Sequence, residues 1–124
     1  MSKAPVVAIV DDDPGVIESV SDLLESVGHR VCAFSSAVAF LESECFTQVG
    51  CLITDIDMPL IDGFRLRDMA HSSRPDLPVI IITGKSEFAG QRRVAELAPD
   101  RFFWKPFDSQ ALLMAIEAAL DTAR

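Results

Sequence analysis

Apolar residues fall into two recurring patterns along this chain: short continuous runs, and longer stretches in which they return every three or four positions. The runs are Val6-Val7-Ala8-Ile9-Val10, Arg30-Val31-Cys32-Ala33-Phe34, Cys51-Leu52-Ile53-Thr54-Asp55, Pro78-Val79-Ile80-Ile81-Ile82-Thr83 and Arg101-Phe102-Phe103-Trp104-Lys105. Rich in β-branched or aromatic residues and followed by turn-formers, they read as strands, the first, third and fourth as buried parallel ones. Between the first two, Val16, Ile17, Val20, Leu23, Leu24 and Val27 alternate with polar residues at helical spacing. That predicts an amphipathic helix with Asp13 as its N-cap, Pro14 at its first position and Gly28 closing it. Ser35 or Ser36 caps a short helix carrying Val38, Phe40 and Leu41. A third helix starts at Gly63 and stops before Pro75, and a fourth, interrupted by Gly90, lies within residues 86–98. The last, capped by Asp108 or Ser109, carries Ala111, Leu112, Ala115, Ile116, Ala119 and Leu120. Five strands alternating with five helices, without internal repeats, imply an α/β fold with a parallel sheet and helices on both faces.

Length changes this picture little: 124 residues suit one domain, 1–124, with a real core. Charge matters more. The formal net charge of -8, from 19 acidic and 11 basic residues, argues against a direct nucleic-acid surface, which needs clustered Lys and Arg. Cys32, Cys45 and Cys51 are odd in number and lack CxxC spacing, so they read as reduced core residues, neither a disulfide framework nor a zinc site. The N-terminus does not read as a signal peptide and no apolar run is long enough to span a bilayer, so the expected compartment is the cytoplasm, with no membrane partner. His29 and His71 have no partner motif and read as solvent-exposed; Trp104 reads as packing.

The candidate chemistry stands at the strand ends. Asp11, Asp12 and Asp13 follow the first strand, Asp55 ends the third, Thr83 the fourth and Lys105 the fifth. In a parallel sheet these ends converge on one edge, where ligands bind in open α/β folds. Two carboxylates about 4 Å apart repel by roughly 4 kcal/mol at an effective dielectric of 20, and a divalent cation reverses that sign. An all-oxygen site suits Mg²⁺. With a hydroxyl and an ammonium added, the set matches the needs of a phosphoryl group, for which an Asp carboxylate is a suitable nucleophile. Asp13 reads as a helix cap and not as a ligand.

Taken together, Ile9-Val10-Asp11-Asp12-Asp13-Pro14, Thr54-Asp55-Ile56-Asp57-Met58-Pro59 with Asp62-Gly63, Ile82-Thr83-Gly84 and Lys105-Pro106-Phe107 resemble, in family order and across nearly the whole chain, the CheY-like receiver domain of bacterial two-component response regulators. The resemblance implies a single flavodoxin-like (βα)5 domain of strand order 2-1-3-4-5. It makes Asp55 the phosphoacceptor and Asp11 and Asp12 the acidic pair for Mg²⁺, with Asp57 contributing its backbone carbonyl. It makes Thr83 the switch hydroxyl, Lys105 a phosphoryl contact preceding a cis bond to Pro106, and Phe102 the switch aromatic. The implied partners are a histidine kinase or His-containing phosphotransfer protein, and an output domain or second copy docking on the face built by the fourth helix, fifth strand and fifth helix. Asp57 and Lys85 flank the acceptor, where they would tune phosphoryl lifetime. The chain ends at Arg124 without a linker or DNA-binding helices, as expected of a stand-alone receiver or of one cut from a longer regulator.

Three other readings compete. A haloacid-dehalogenase-like phosphatase is suggested by Asp55-Ile56-Asp57, but that family places its nucleophile on the first strand and its acidic pair last, and here the pair comes first. A flavin-phosphate-binding module would want a Ser/Thr/Gly-rich loop after the first strand, where three aspartates would repel phosphate. A non-phosphorylated receiver-like interaction module sits badly with the intact acid set. The chain is therefore expected to be a signalling switch and not a dedicated enzyme.

Overall fold

A computed structural model describes residues 6–56, 58, 60–83, 102–104 and 108–122. Five strands form one parallel sheet: β1 (Val6–Val10), β2 (Arg30–Phe34), β3 (Cys51–Asp55), β4 (Val79–Thr83) and β5 (Phe102–Trp104), in the order β2-β1-β3-β4-β5. The helices are α1 (Pro14–Ser26), α2 (Ala37–Leu41), α3 (Gly63–Ser73) and the last described helix, α4 (Ser109–Thr122). This is the expected flavodoxin-like arrangement. The fourth helix expected within residues 86–98 lies outside the described residues.

The continuous apolar runs are explained by burial on both sides of the sheet. Alternate strand residues point to opposite faces. Val6, Ala8, Val10, Leu52 and Ile81 pack with Phe40, Phe64 and Leu66 from α2 and α3. Val7, Ile9, Ile53, Ile80 and Ile82 pack with Val20 and Leu24 of α1 and with Leu112 and Ile116 of α4. Every residue of β1, β3 and β4 is buried, while β2, at the sheet edge, is only partly so.

Helix ends follow the expected chemistry. Asp13 Oδ1 accepts the Gly15 N–H at 2.9 Å, with Pro14 in the first turn. Gly28, at φ 90°, carries the chain out of α1. Of the two candidate serines, Ser36 caps α2, its Oγ accepting the Ala39 N–H at 3.1 Å. Asp62 caps α3 through the Arg65 N–H at 2.8 Å. At α4 the cap is Asp108, whose Oδ1 takes the N–H groups of Gln110 and Ala111.

Three features depart from expectation. A 3-10 helix, η1 (Glu44–Thr47), follows α2 where nothing regular was expected. His71 is partly buried and its Nε2 lies 2.8 Å from the Leu77 carbonyl oxygen, tying α3 to the segment leading into β4. His29 is also partly buried, and its Nε2 has no hydrogen-bond partner among the described residues. Neither histidine is the solvent-exposed side chain that the sequence suggested. Cys51 is fully buried, and Cys32 and Cys45 are half-buried against the core. No helix among the described residues is long and apolar enough to cross a membrane.

Candidate functional site

The acidic site is set by strand register. Val10 pairs with Thr54 across β1 and β3, so the next residues, Asp11 and Asp55, stand level with one another. The Asp11 N–H donates to the Phe34 carbonyl at 3.1 Å, which extends the β1–β2 ladder by one residue and keeps Asp11 in strand geometry. Its Oδ1 in turn accepts the Asp13 N–H at 2.9 Å, turning the chain into the N-cap of α1. Asp12 is thereby placed on the rim.

Oxygen atoms of Asp11, Asp12 and Asp55 all lie within 4.8 Å of one another. Asp11 is 0% exposed, Asp55 7%, and Asp12 is open to solvent. At these separations each pair of ionised carboxylates repels by roughly 3–4 kcal/mol at an effective dielectric near 20. Three such oxygens held together, two on buried residues, form a donor set suited to a hard divalent cation.

Neighbouring residues in and just after β3 help to hold the acceptor candidate. Asp55 Oδ1 accepts the Ile56 N–H at 2.9 Å, and the Thr54 hydroxyl donates to the Asp55 carbonyl at 2.9 Å. On the far side, the Gly63 N–H donates to the Ile56 carbonyl at 2.9 Å, bringing the start of α3 directly against the end of β3. A Cβ on Gly63 would collide with the Asp55 carbonyl oxygen and stand 2.9 Å from the Ile56 Cα. Gly63 is therefore a site residue by what it lacks, a role beyond the turn-former that the sequence suggested.

Thr83 is fully buried at the end of β4. Asp55 pairs with Ile82, which sets Thr83 one residue beyond the level of Asp55 on the neighbouring strand. Thr83 in turn pairs with Trp104 of β5, and Phe102, two residues earlier, is half-buried against the core face that carries Ile81 and Phe64. The structure thus brings Asp11, Asp12, Asp55 and Thr83 to one edge of the sheet, with Phe102 on the adjoining strand. Asp57, Lys85, Lys105 and the Lys105-Pro106 bond lie outside the described residues.

One residue between β3 and α3 escaped sequence reading. Leu60 sits at φ 70° and is 93% exposed, a left-handed position that usually goes to Gly or Asn. The Pro59 and Gly63 that bracket it marked a turn, but nothing in an isolated Leu signals which residue takes the left-handed step.

A family model described as the response regulator receiver domain matches residues 7–117. The response regulator protein TmoT of Ectopseudomonas mendocina is 38% identical over 118 residues, covering 95% of this chain and 54% of its own length. The transcriptional regulatory protein FixJ of Azorhizobium caulinodans is 35% identical over 120 residues, with coverages of 97% and 57%. Among solved structures, the response regulator StyR matches with a TM-score of 0.84 at 36% identity, over 96% of this chain and 60% of its own. A CheY-like response regulator receiver domain protein from Methanospirillum hungatei JF-1 matches with a TM-score of 0.83 at 27% identity, over 98% and 97%. The chain spans about half the length of the curated relatives it matches.

Proposed function

This chain belongs to the response regulator receiver family, the phosphorylation-switched signalling domains of two-component systems, and from that premise we propose that Asp55 is its phosphoacceptor. The donor is a histidine kinase or a His-containing phosphotransfer protein, and the step depends on Mg²⁺. The observation that carries this reading is the convergence of Asp11, Asp12 and Asp55 within 4.8 Å at the end of β1 and β3. An acid pair directly after β1 preceding the acceptor on β3 is the receiver order and the reverse of the phosphatase order.

Asp11, Asp12 and Asp55 would hold the metal, with the Asp57 carbonyl added by family resemblance; when bound, it supplies neutralisation of phosphoryl charge. The remaining work belongs to the chain. A carboxylate oxygen of Asp55 attacks phosphorus, the P–N bond of the donor's phosphohistidine breaks, and its electron pair stays on the imidazole. The Ile56 N–H and the backbone packing of Gly63 fix the acceptor, so little orientational freedom remains to be lost at that step. The donor brings the activated group and the receiver brings the acceptor, so the chain acts as a switch and not as a dedicated enzyme.

Thr83 then binds a phosphoryl oxygen through its hydroxyl and Lys105 through its ammonium, which favours one packing around Phe102. Moving such an equilibrium from about 1:99 to 99:1 takes roughly 5.5 kcal/mol of differential interaction. A few charge-assisted hydrogen bonds are of that order. Phe102 carries no hydroxyl, so its inward position leaves no polar group to satisfy. The shifted surface serves an output domain or a second copy of the chain, residues 1–124 acting as one cytoplasmic receiver domain.

The test is transfer from an autophosphorylated kinase or, without the cognate one, from a small acyl phosphate. The expected product is one phosphoryl group per chain, labile to hydroxylamine as an acyl phosphate must be, with uptake stopped by chelation of the metal. Continuous hydrolysis of an aryl phosphate ester, with no such adduct, would move the chain to the phosphatase reading.

A further inference from the structure

The segment that joins β3 to α3 is closed at its base and pinned on its inner side. The Gly63 N–H donates to the Ile56 carbonyl at 2.9 Å, and Asp62 Oδ1 accepts the Arg65 N–H at 2.8 Å, so the segment returns to the chain directly beside Asp55. Met58 is buried in the core cluster that holds Phe64 and Ile81, and Ile61 packs against the same cluster. Leu60, between them, goes the other way. At 93% it is the most exposed large apolar side chain among the described residues, and its φ of 70° is one that a bulky residue rarely takes. Gly or Asn would make the same turn at less steric cost. The turn therefore does not call for a leucine. Scattered exposed apolar residues are ordinary, but one held outward by a strained backbone, beside a carboxylate that reacts, fits a contact made with another molecule.

Reach decides what that molecule is. Leu60 is three residues from Gly63, so their Cα atoms are at most about 11 Å apart, and Gly63 abuts the Asp55 peptide group. A protein–protein interface of ordinary size buries about 800 Å² on each partner, a patch roughly 16 Å in radius. A protein that brings a phosphohistidine to Asp55 with such a patch centred on the acceptor also covers Leu60. A small acyl phosphate has no surface that extends so far.

We propose that Leu60 is a specificity-determining contact for the protein phosphodonor, its side chain entering an apolar recess beside the donor's phosphohistidine. This rests on the reading of Asp55 as the phosphoacceptor. The pinned segment presents the side chain in one position before the encounter, so little freedom is lost on docking. Leu60 touches the donor's surface and not the reacting atoms. Its contact is the same before and during transfer, so losing it raises KM and leaves kcat in place.

Leu60→Asn, which tolerates the left-handed turn but removes the apolar surface, and Leu60→Met, which keeps that surface, are compared with the parent against two donors. One is a small acyl phosphate with Mg²⁺, read by intact mass. The other is the autophosphorylated histidine kinase, among those of the source organism, that transfers fastest to the parent. With the acyl phosphate all three chains should take up one phosphoryl group at the same rate. With the kinase, Leu60→Asn should show a KM raised about tenfold or more at unchanged kcat, as expected when a buried leucine is lost from an interface. Leu60→Met should stay near the parent, and Leu60→Asn should be at least as stable as the parent in chemical denaturation. An unchanged KM in Leu60→Asn, or a parent that takes phosphoryl from the acyl phosphate but from no kinase, would overturn the proposal and leave Asp55 as the acceptor. Slowed uptake from both donors would instead make Leu60 a support of the acceptor loop, and a parent dimer that Leu60→Asn dissociates, with transfer unchanged, would assign it to a second copy; either result overturns the proposal. No adduct on the parent from either donor would remove the reading of Asp55 itself.

Discussion

Asp55 is positioned by what surrounds its backbone: the Thr54 hydroxyl on its carbonyl, the Ile56 N–H on its side chain, and the bare Cα of Gly63 against its peptide group. Gly63→Ala should therefore do more than fill space. The added carbon meets main chain, which cannot rotate away, so β3 and α3 must separate. We expect a stability loss of about 1–3 kcal/mol by chemical denaturation, accompanied by slower phosphoryl uptake; a fully stable, fully active variant would show that the two elements are not packed as described. Asp12 offers the opposite case. It adds a third carboxylate to the cluster without contributing to the core, so Asp12→Asn should raise the metal-free chain's stability by up to roughly 1 kcal/mol, discounted for its exposure. The same variant should respond more weakly to added Mg²⁺ in thermal melting, and an unchanged response would remove Asp12 from the metal set. Cys45 sets a pH dependence of a different kind. Burial first, then the hydrogen bond and negative charge of Cys32, push its thiol from the ordinary 9.0 up to about 12, against the opposing pull of Arg30. Between those values the unfolded chain has lost a proton that the folded chain keeps, so stability falls as pH rises across the window and is fully retained below it. Denaturation midpoints between pH 8 and 11 should fall more steeply in the parent than in Cys45→Ala, and no tyrosine is present to titrate in that range.

At the scale of elements, the sequence was legible wherever a cap or a period carried the signal. Asp13 with Pro14, Gly28, and the buried runs of β1, β3 and β4 all lie where their chemistry predicts. Ser35 and Ser36 were equivalent on paper, and only the local geometry chose Ser36. The 3-10 helix over Glu44–Thr47 left no trace, because four residues are too few for a helical period to show. The partial burial of His71 has no local signal, because the carbonyl near it belongs to Leu77, beyond the end of α3. The strand ends were legible as chemistry, but the meeting of Asp11 with Asp55 depends on β1–β3 register, which no local pattern encodes. Arg74 is a similar long-range tie. Just past α3, its guanidinium donates to the carbonyls of Phe46 at 2.9 Å and Val49 at 2.7 Å, joining the α3 C-terminus to the segment that leads into β3. Arg74→Ala should cost about 1.5–3 kcal/mol, since both carbonyls lose a charged donor. A loss below about 0.5 kcal/mol in denaturant titration would show that water replaces the guanidinium without penalty.

Across the whole molecule, the sheet separates two tasks. Its two faces bury the core clusters that hold the strands in register, and its acid edge gathers Asp11, Asp12 and Asp55, carboxylates suited to a divalent cation. Along that edge Asp55 of β3 pairs with Ile82, next to Thr83 of β4, and β4 pairs with β5, the strand that carries Phe102. Under the proposed function, the cost of holding three acids together would be relieved on metal binding, and the site would stabilise the chain by that amount.

The central claim is that Asp55 takes a phosphoryl group with the help of the acid cluster, and intact-mass spectrometry tests it most directly. The parent and Asp55→Asn are incubated with a small acyl phosphate, with Mg²⁺ and with the metal chelated. The account predicts a single phosphoryl adduct on the parent only with metal, and none on Asp55→Asn. An adduct of equal yield on Asp55→Asn, or on the parent without metal, would contradict it.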